Sequence, residues 1–278
     1  MDWDHVRIFL ATLRAKSLRR AAEQLGLSHP TARRHLNAFE KQLGLTLFDR
    51  RSDGLHATAE AAQLKVAAEK VERAVQALGR VALAADPELR GPIRVTLPDI
   101  FGSDLLMPDL SEFMRQWPEI DLQVDAAYAV ADLDRREADV AIRVMPKGKL
   151  PAEHLAGRKA ARVFKAVYGT PHCWIGWEGG ERDRGWISET KFPDLPVRGA
   201  INNPDLQRAA CAAGMGLTLL PCFFADPVLE RQSEPVHGFD LWVLVHPDLR
   251  DNPRLRVFRD FVFEALRRHR PRLEGRPE

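Results

Sequence analysis

The chain has 278 residues, 45% apolar and 29% charged, which fits two or three compact units and excludes a disordered or collagen-like polypeptide. Its formal charge of +2 hides an asymmetry, because residues 1–58 carry ten Lys or Arg against six acids and four of the nine histidines, which leaves −2 on the remainder; a basic headpiece on a near-neutral body is the electrostatic footprint of a nucleic-acid binder. No apolar run reaches the roughly 18 residues of a membrane span, MDWDHVRIFL has acids ahead of its first Arg and no secretory cleavage pattern, and three cysteines (Cys173, Cys211, Cys222) suit a reducing cytosol, so a cytoplasmic protein is expected. Val6, Phe9, Leu10 and Leu13 recur at helical spacing and predict an amphipathic helix over residues 3–15. Ser17 is a good N-cap for a second helix, Leu18 to Leu25, and Gly26 supplies the turn that follows. Ser28 caps a third helix with Pro30 in its first turn and Ala32, Leu36, Phe39 and Leu43 as its inward stripe. Two helices around a glycine turn, the second with a charged outer face, describe a helix-turn-helix.

His29, Thr31, Arg33, Arg34, His35 and Asn37 are expected on the solvent face of the third helix. Arg pairs bidentately with a guanine edge or clamps a phosphate, and Thr and Asn serve either target. Beyond Gly44, Leu47 to Arg51 and the Ser52-Asp53-Gly54 turn predict a two-stranded wing with Arg50 and Arg51 placed on phosphate.

The run Ser17-Leu18-Arg19-Arg20-Ala21-Ala22-Glu23-Gln24-Leu25-Gly26-Leu27-Ser28 continues as His29-Pro30-Thr31-Ala32-Arg33-Arg34-His35-Leu36. With Phe39-Glu40, Leu43-Gly44-Leu45 and Leu47-Phe48-Asp49-Arg50, it resembles the winged helix-turn-helix of the bacterial LysR-type transcriptional regulators. The resemblance implies that Ser28, His29, Pro30, Thr31, Arg33 and Arg34 meet DNA bases and phosphates, with Arg50 on the backbone from the wing. Ser17, Asn37 and Arg51 complete the candidate contacts. His29 stands where the family usually has Gln, Arg33 where it has Ser, and Ala-Glu-Ala follows Thr58 in place of Glu-Ala-Gly. The first two shift potential contacts from adenine towards guanine or phosphate.

From Ala59 to about Asp86, Leu64, Ala68, Val71, Val75, Leu78 and Ala82 step by four and three, a heptad seam flanked by charge. A helix of that length is about 40 Å long, and the seam predicts a partner helix, hence a twofold dimer reading paired half-sites of an interrupted palindrome on double-stranded DNA. The family's dimerising linker helix looks the same, and the resemblance adds a usual tetramer and RNA polymerase as a partner. Asp86-Pro87 and Gly91-Pro92 mark a hinge. The expected domains are residues 1–58 (winged helix-turn-helix), 59–90 (linker helix and hinge) and 91–278 (effector binding).

Beyond the hinge, strands are predicted at 93–97, 120–127, 139–144, 163–168, 197–201, 216–220 and 241–246, and helices from Gly102 to Trp117, at 130–136, 204–213 and 253–270. Alternation of strand and helix implies a parallel α/β sheet in two similar halves. Gly91-Pro92-Ile93-Arg94-Val95, Arg136-Glu137-Ala138-Asp139-Val140-Ala141-Ile142-Arg143 and Ala213-Gly214-Met215-Gly216-Leu217 resemble the same family's effector domain, which implies a periplasmic-binding-protein-like fold of two α/β subdomains. The Trp- and Gly-rich stretch from Cys173 to Asp194 matches it least. Ligands of open α/β sheets sit beyond the carboxyl ends of the strands, so Asp99, Phe101, Ser103, Tyr128, Arg143, Asn202 and Asn203 are the candidate effector contacts. Ser103 at a helix start suits an anion and Asp99 a cation, which leaves the effector's charge open.

No enzyme, cofactor or metal is expected. Gly214-Met215-Gly216 lacks a third glycine, no Gly-Lys-Ser/Thr occurs, and His172-Cys173 is one adjacent pair without zinc spacing. Cys211 and Cys222 read as buried apolar residues rather than a redox pair. The reading is a ligand-responsive, sequence-specific transcriptional regulator. A small-molecule sensor or carrier whose headpiece binds protein is the alternative, with an enzyme using the α/β cleft behind it.

Overall fold

A computed structural model describes residues 2–51, 54–126, 138–177 and 185–276, and its contacts separate Met1–Val81 from Ala82–Glu278. In the first unit α1 (Trp3–Ala15) buries Val6, Phe9 and Leu10. The Ser17 hydroxyl accepts from Arg20 N to open α2 (Leu18–Gln24), and Ser28 accepts from Thr31 N to open α3 (His29–Leu43). Gly44, at φ 68°, closes α3 in the left-handed conformation that favours glycine. The wing is an antiparallel pair, β1 (Phe48–Arg51) on β2 (Gly54–Ala57). The rings of Phe9, Phe39 and Phe48 meet at 5.8 and 5.9 Å between the helices and the wing.

α4 (Ala59–Ala84) is the expected long helix. Its first turns belong to the headpiece: Ala61 and Ala68 are buried in the same core as Phe9, with Leu64 packed beside them. Ala68 is only 4% exposed, so the seam expected from Leu64 onward does not begin there; the headpiece itself takes up that apolar surface. Val71, Val75, Leu78 and Ala82 are exposed. Arg14 of α1 holds Glu72 through two hydrogen bonds of 2.8 and 2.6 Å, which fixes α4 on the head.

The second unit is built on one eight-stranded mixed sheet. Its strands are β3 (Gly91–Leu97), β4 (Ile120–Ala126), β5 (Val140–Pro146), β6 (Ala156–Gly169), β7 (Trp174–Gly176), β8 (Val197–Ala200), β9 (Leu217–Pro221) and β10 (Val236–Val245). Their order is β4-β3-β5-β10-β6-β9-β7-β8. Each half holds three parallel strands in the order second, first, third, and each is bordered by a long antiparallel strand, β10 or β6, that crosses to the other half. α5 (Asp99–Phe101) runs through a π-helical turn, Gly102–Leu106, into α6 (Met107–Gln116). Further helices are α7 (Pro204–Ala212), α8 (Cys222–Ala225), α9 (Pro253–Arg268) and α10 (Arg270–Leu273).

β6 begins at Ala156 and β10 at Val236, well before the expected 163 and 241. β7 was not expected at all, yet Trp174 is fully buried beside Ile187 and Leu217, with Trp186 packed edge-on at 5.2 Å and Trp174 Nε1 donating to the Phe192 carbonyl. The Trp-rich stretch thus supplies core to the second half. The helix expected at 130–136 lies outside the described residues. No described helix is long and apolar enough to cross a membrane.

Candidate DNA-contact face and effector cleft

Burial of Ala32, Leu36 and Phe39 turns the opposite side of α3 outward, and Ser28, His29, Pro30, Arg33, Arg34 and Asn37 are exposed there, with Thr31 half-buried. Ser28 and Thr31 share a 2.8 Å hydroxyl–hydroxyl bond, so both serve the cap of this helix. Ser17 caps α2 and is half-buried. His35, expected outward, packs its ring on His5 at 5.4 Å, because its position sits on the edge of the buried stripe. Glu40 Oε1 accepts from the Leu47 and Phe48 amides at 2.7 and 3.3 Å, which ties α3 to the first strand of the wing. Arg50 and Arg51 stand in that strand, in register with Leu55 and Gly54.

In the second unit a cavity of 140 Å³ opens between the two halves. The end of α5 contributes Phe101, β5 contributes Val144, the start of α7 Pro204 and Gln207, and the strands β6, β9 and β10 contribute Lys165, Leu219 and Phe239. Of the expected contacts, Phe101 lines it. Asp99 and Ser103 are engaged in their own turn: Asp99 Oδ1 accepts from Ile100 N at 2.7 Å, and the Ser103 hydroxyl donates to Asp104 Oδ2 and to the Asp99 carbonyl. Asn203 is the N-cap of α7, accepting from Leu206 N at 2.9 Å, and Asn202 is exposed. Tyr128 lies outside the described residues.

Arg143 corrects the expectation most plainly. Successive residues of a strand face opposite sides of the sheet: Val144 lines the cavity while Arg143 turns to the other face, buried at 5% exposure with its guanidinium on Thr96 Oγ1 at 2.7 Å. Burial pushes its pKa below the usual arginine value, partly opposed by Asp125.

Lys165, which the sequence did not single out, is the charged residue among those lining the cavity. A shift in the β6–β10 register between His237 and Phe239 places Gly238 against its stem, where a Cβ would come within 2.3 Å of Cε, so a larger residue here would force the lysine side chain to move. Its ammonium stands 5.4 Å from the centre of the Phe239 ring, and burial pulls its pKa below the usual lysine value. Between the two halves Arg208 of α7 bridges to Asp104 of the π-turn at 2.9 Å while its guanidinium lies 3.8 Å over the Phe224 ring. The thiols of Cys211 and Cys222 are buried, which raises their pKa and keeps them protonated.

The model of the bacterial regulatory helix-turn-helix protein, lysR family, matches residues 3–62, and that of the LysR substrate binding domain matches residues 87–164 and 150–267. The HTH-type transcriptional regulator CrgA of Neisseria meningitidis serogroup C (strain 8013) is 26% identical over 291 residues, covering 95% of this chain and 96% of CrgA. The HTH-type transcriptional regulator AdmX of Serratia plymuthica is 32% identical over 289 residues, covering 96% of this chain and 93% of AdmX. Among solved structures, a full-length OxyR variant from Pseudomonas aeruginosa shares the fold with a TM-score of 0.61 at 18% identity, covering 96% of this chain and 95% of that one. A capped recognition helix with a wing, joined by a long helix to a two-halved α/β domain with a cleft, therefore has its family: the chain belongs to the LysR family of bacterial transcriptional regulators.

Proposed function

We propose that this regulator reads an interrupted palindromic operator with the exposed face of α3 and the wing, two heads at a time in a homodimer or homotetramer, and that a small molecule in the sheet-domain cavity alters its output. In this reading residues 1–58 are the reading head, 59–90 the dimerising linker and hinge, and 91–278 the effector domain. RNA polymerase is the partner through which output changes, the setting is the cytoplasm, and the chain performs no catalysis of its own. The observation that supports the reading is the pair Arg33 and Arg34, exposed on the outer face of α3 and bound to no carboxylate among the described residues. Cations left unpaired on a recognition helix serve phosphates and guanine edges.

Salt titration of binding to genomic fragments, with sequencing of the retained DNA, tests it. A steep salt slope and enrichment of one interrupted palindrome are expected. Replacing Arg33 and Arg34 by Ala reduces that slope by about two per bound head, hence about four for two heads, one for each lost phosphate contact, or relaxes the operator sequence where the contact is to a base. Unchanged affinity, slope and sequence in the double variant would remove α3 as the reader.

A further inference from the structure

The sequence left the effector's charge open between Ser103 and Asp99, and the structure takes both out of the cavity by engaging them in their own turn. What remains inside is Lys165 among Phe101, Val144, Leu219 and Phe239. Among the described residues no carboxylate lines this space, and none lies within ion-pair distance of the Lys165 ammonium. A cation in apolar surroundings without a counter-charge is unfavourable, and the Phe239 ring face attracts it without neutralising it. The fold nevertheless holds it there: Gly238, beside the register shift, leaves room for the lysine stem, and a Cβ at that position would displace it. An entering anion supplies the missing charge. One ammonium balances one negative charge, which disfavours a dianion. The volume of 140 Å³ is close to that of an apolar cavity that holds benzene, roughly 150 Å³.

We propose that the cavity takes a small monocarboxylate whose apolar body is about one six-membered ring in size, its carboxylate on Lys165 and its body against Phe101 and Leu219. The assignment rests on the cavity being the effector site.

The test uses the full chain and four probes of matched shape: benzoate, cyclohexanecarboxylate, neutral benzamide and cationic benzylamine. Binding is followed by thermal melting and by tryptophan fluorescence, to which Trp177 at the cavity contributes. The two carboxylates are expected to raise the melting temperature saturably, with benzamide and benzylamine weaker by about tenfold or more. Lys165→Met loses the carboxylate response, Lys165→Arg retains it, and both variants still bind the DNA that the parent chain retains. Benzamide or benzylamine matching benzoate, or Lys165→Met binding benzoate as the parent does, would overturn the anionic class and leave the effector cavity standing. A chain that responds to none of the three charges would overturn both. The comparison of probes on the parent chain decides the matter even if Lys165→Met does not fold.

Discussion

Asp109, near the start of α6, is a buried carboxylate that anchors the chain's last helices. It accepts from Arg268 and His269, each at 2.7 Å. Burial alone would raise its pKa, but these two donors outweigh it and hold the carboxyl below its usual range. A carboxylate with a depressed folded pKa contributes stability that is complete above its unfolded pKa of about 3.9 and is lost as pH falls through the lower folded value. Asp109→Asn is therefore expected to lower stability by about 2 kcal/mol at neutral pH. Urea denaturation of the two proteins should show the gap closing below about pH 4, where the native carboxylate takes up its proton. A gap that stays constant into acid would mean that packing at this position, and not its charge, supplies the stability.

α4 shows how one helix serves two ends. Its first turns are held by the headpiece core and by the Arg14–Glu72 pair, whereas Val71, Val75, Leu78 and Val81 are exposed, Leu78 at 71%. In the proposed dimer this row of large apolar residues is the surface that a second copy covers. Leu78→Asp is expected to shift sedimentation from dimer towards monomer and to lower operator affinity, since two heads no longer bind as one unit. An unchanged sedimentation profile would place the protomer contact elsewhere. The contrast between the ends of α4 also explains what the sequence made legible. The headpiece could be read because its signals are local: Ser17 and Ser28 as caps, Gly26 as a turn, and Val6, Phe9 and Leu10 as a stripe a few residues apart. The heptad pattern could not reveal that Ala68 would be claimed by Phe9 and Phe39 of its own head, because an a/d stripe looks the same whichever helix covers it. The early part of β6, Gly157-Arg158-Lys159, has no strand signature of its own and is made a strand by pairing with β10, more than eighty residues further along. Lys165 stayed hidden for the same reason, since its place in the cavity depends on Gly238 across that pairing. Arg143 was misplaced by one step of strand alternation, and alternation does not say which face of a sheet borders a cleft.

At the scale of the whole effector domain, the two halves share two continuous strands, a ring contact between Phe101 and Phe223 at 4.8 Å and, among the described residues, the Arg208–Asp104 ion pair. β6 and β10 run unbroken between the halves, and the Arg208–Asp104 pair is a side-chain link whose removal leaves those strands intact. Arg208 is further fixed by the Phe224 carbonyl at 3.1 Å and by stacking on the Phe224 ring, so its guanidinium is positioned before Asp104 meets it. Parting the halves breaks this pair and opens the cavity. A ligand that binds only the present arrangement therefore gains from every interaction that favours it. Partly exposed pairs of this kind are worth about 1 kcal/mol, so Asp104→Asn is expected to weaken benzoate binding by about fivefold. Arg208→Ala should do the same, and the double variant should be little worse than either, since both substitutions remove one interaction. Operator affinity in the absence of benzoate should stay unchanged within about twofold, because neither residue belongs to the reading head. Losses that simply add would show the two residues acting separately. Benzoate affinity indifferent to both would show that the arrangement of the halves is set without this pair.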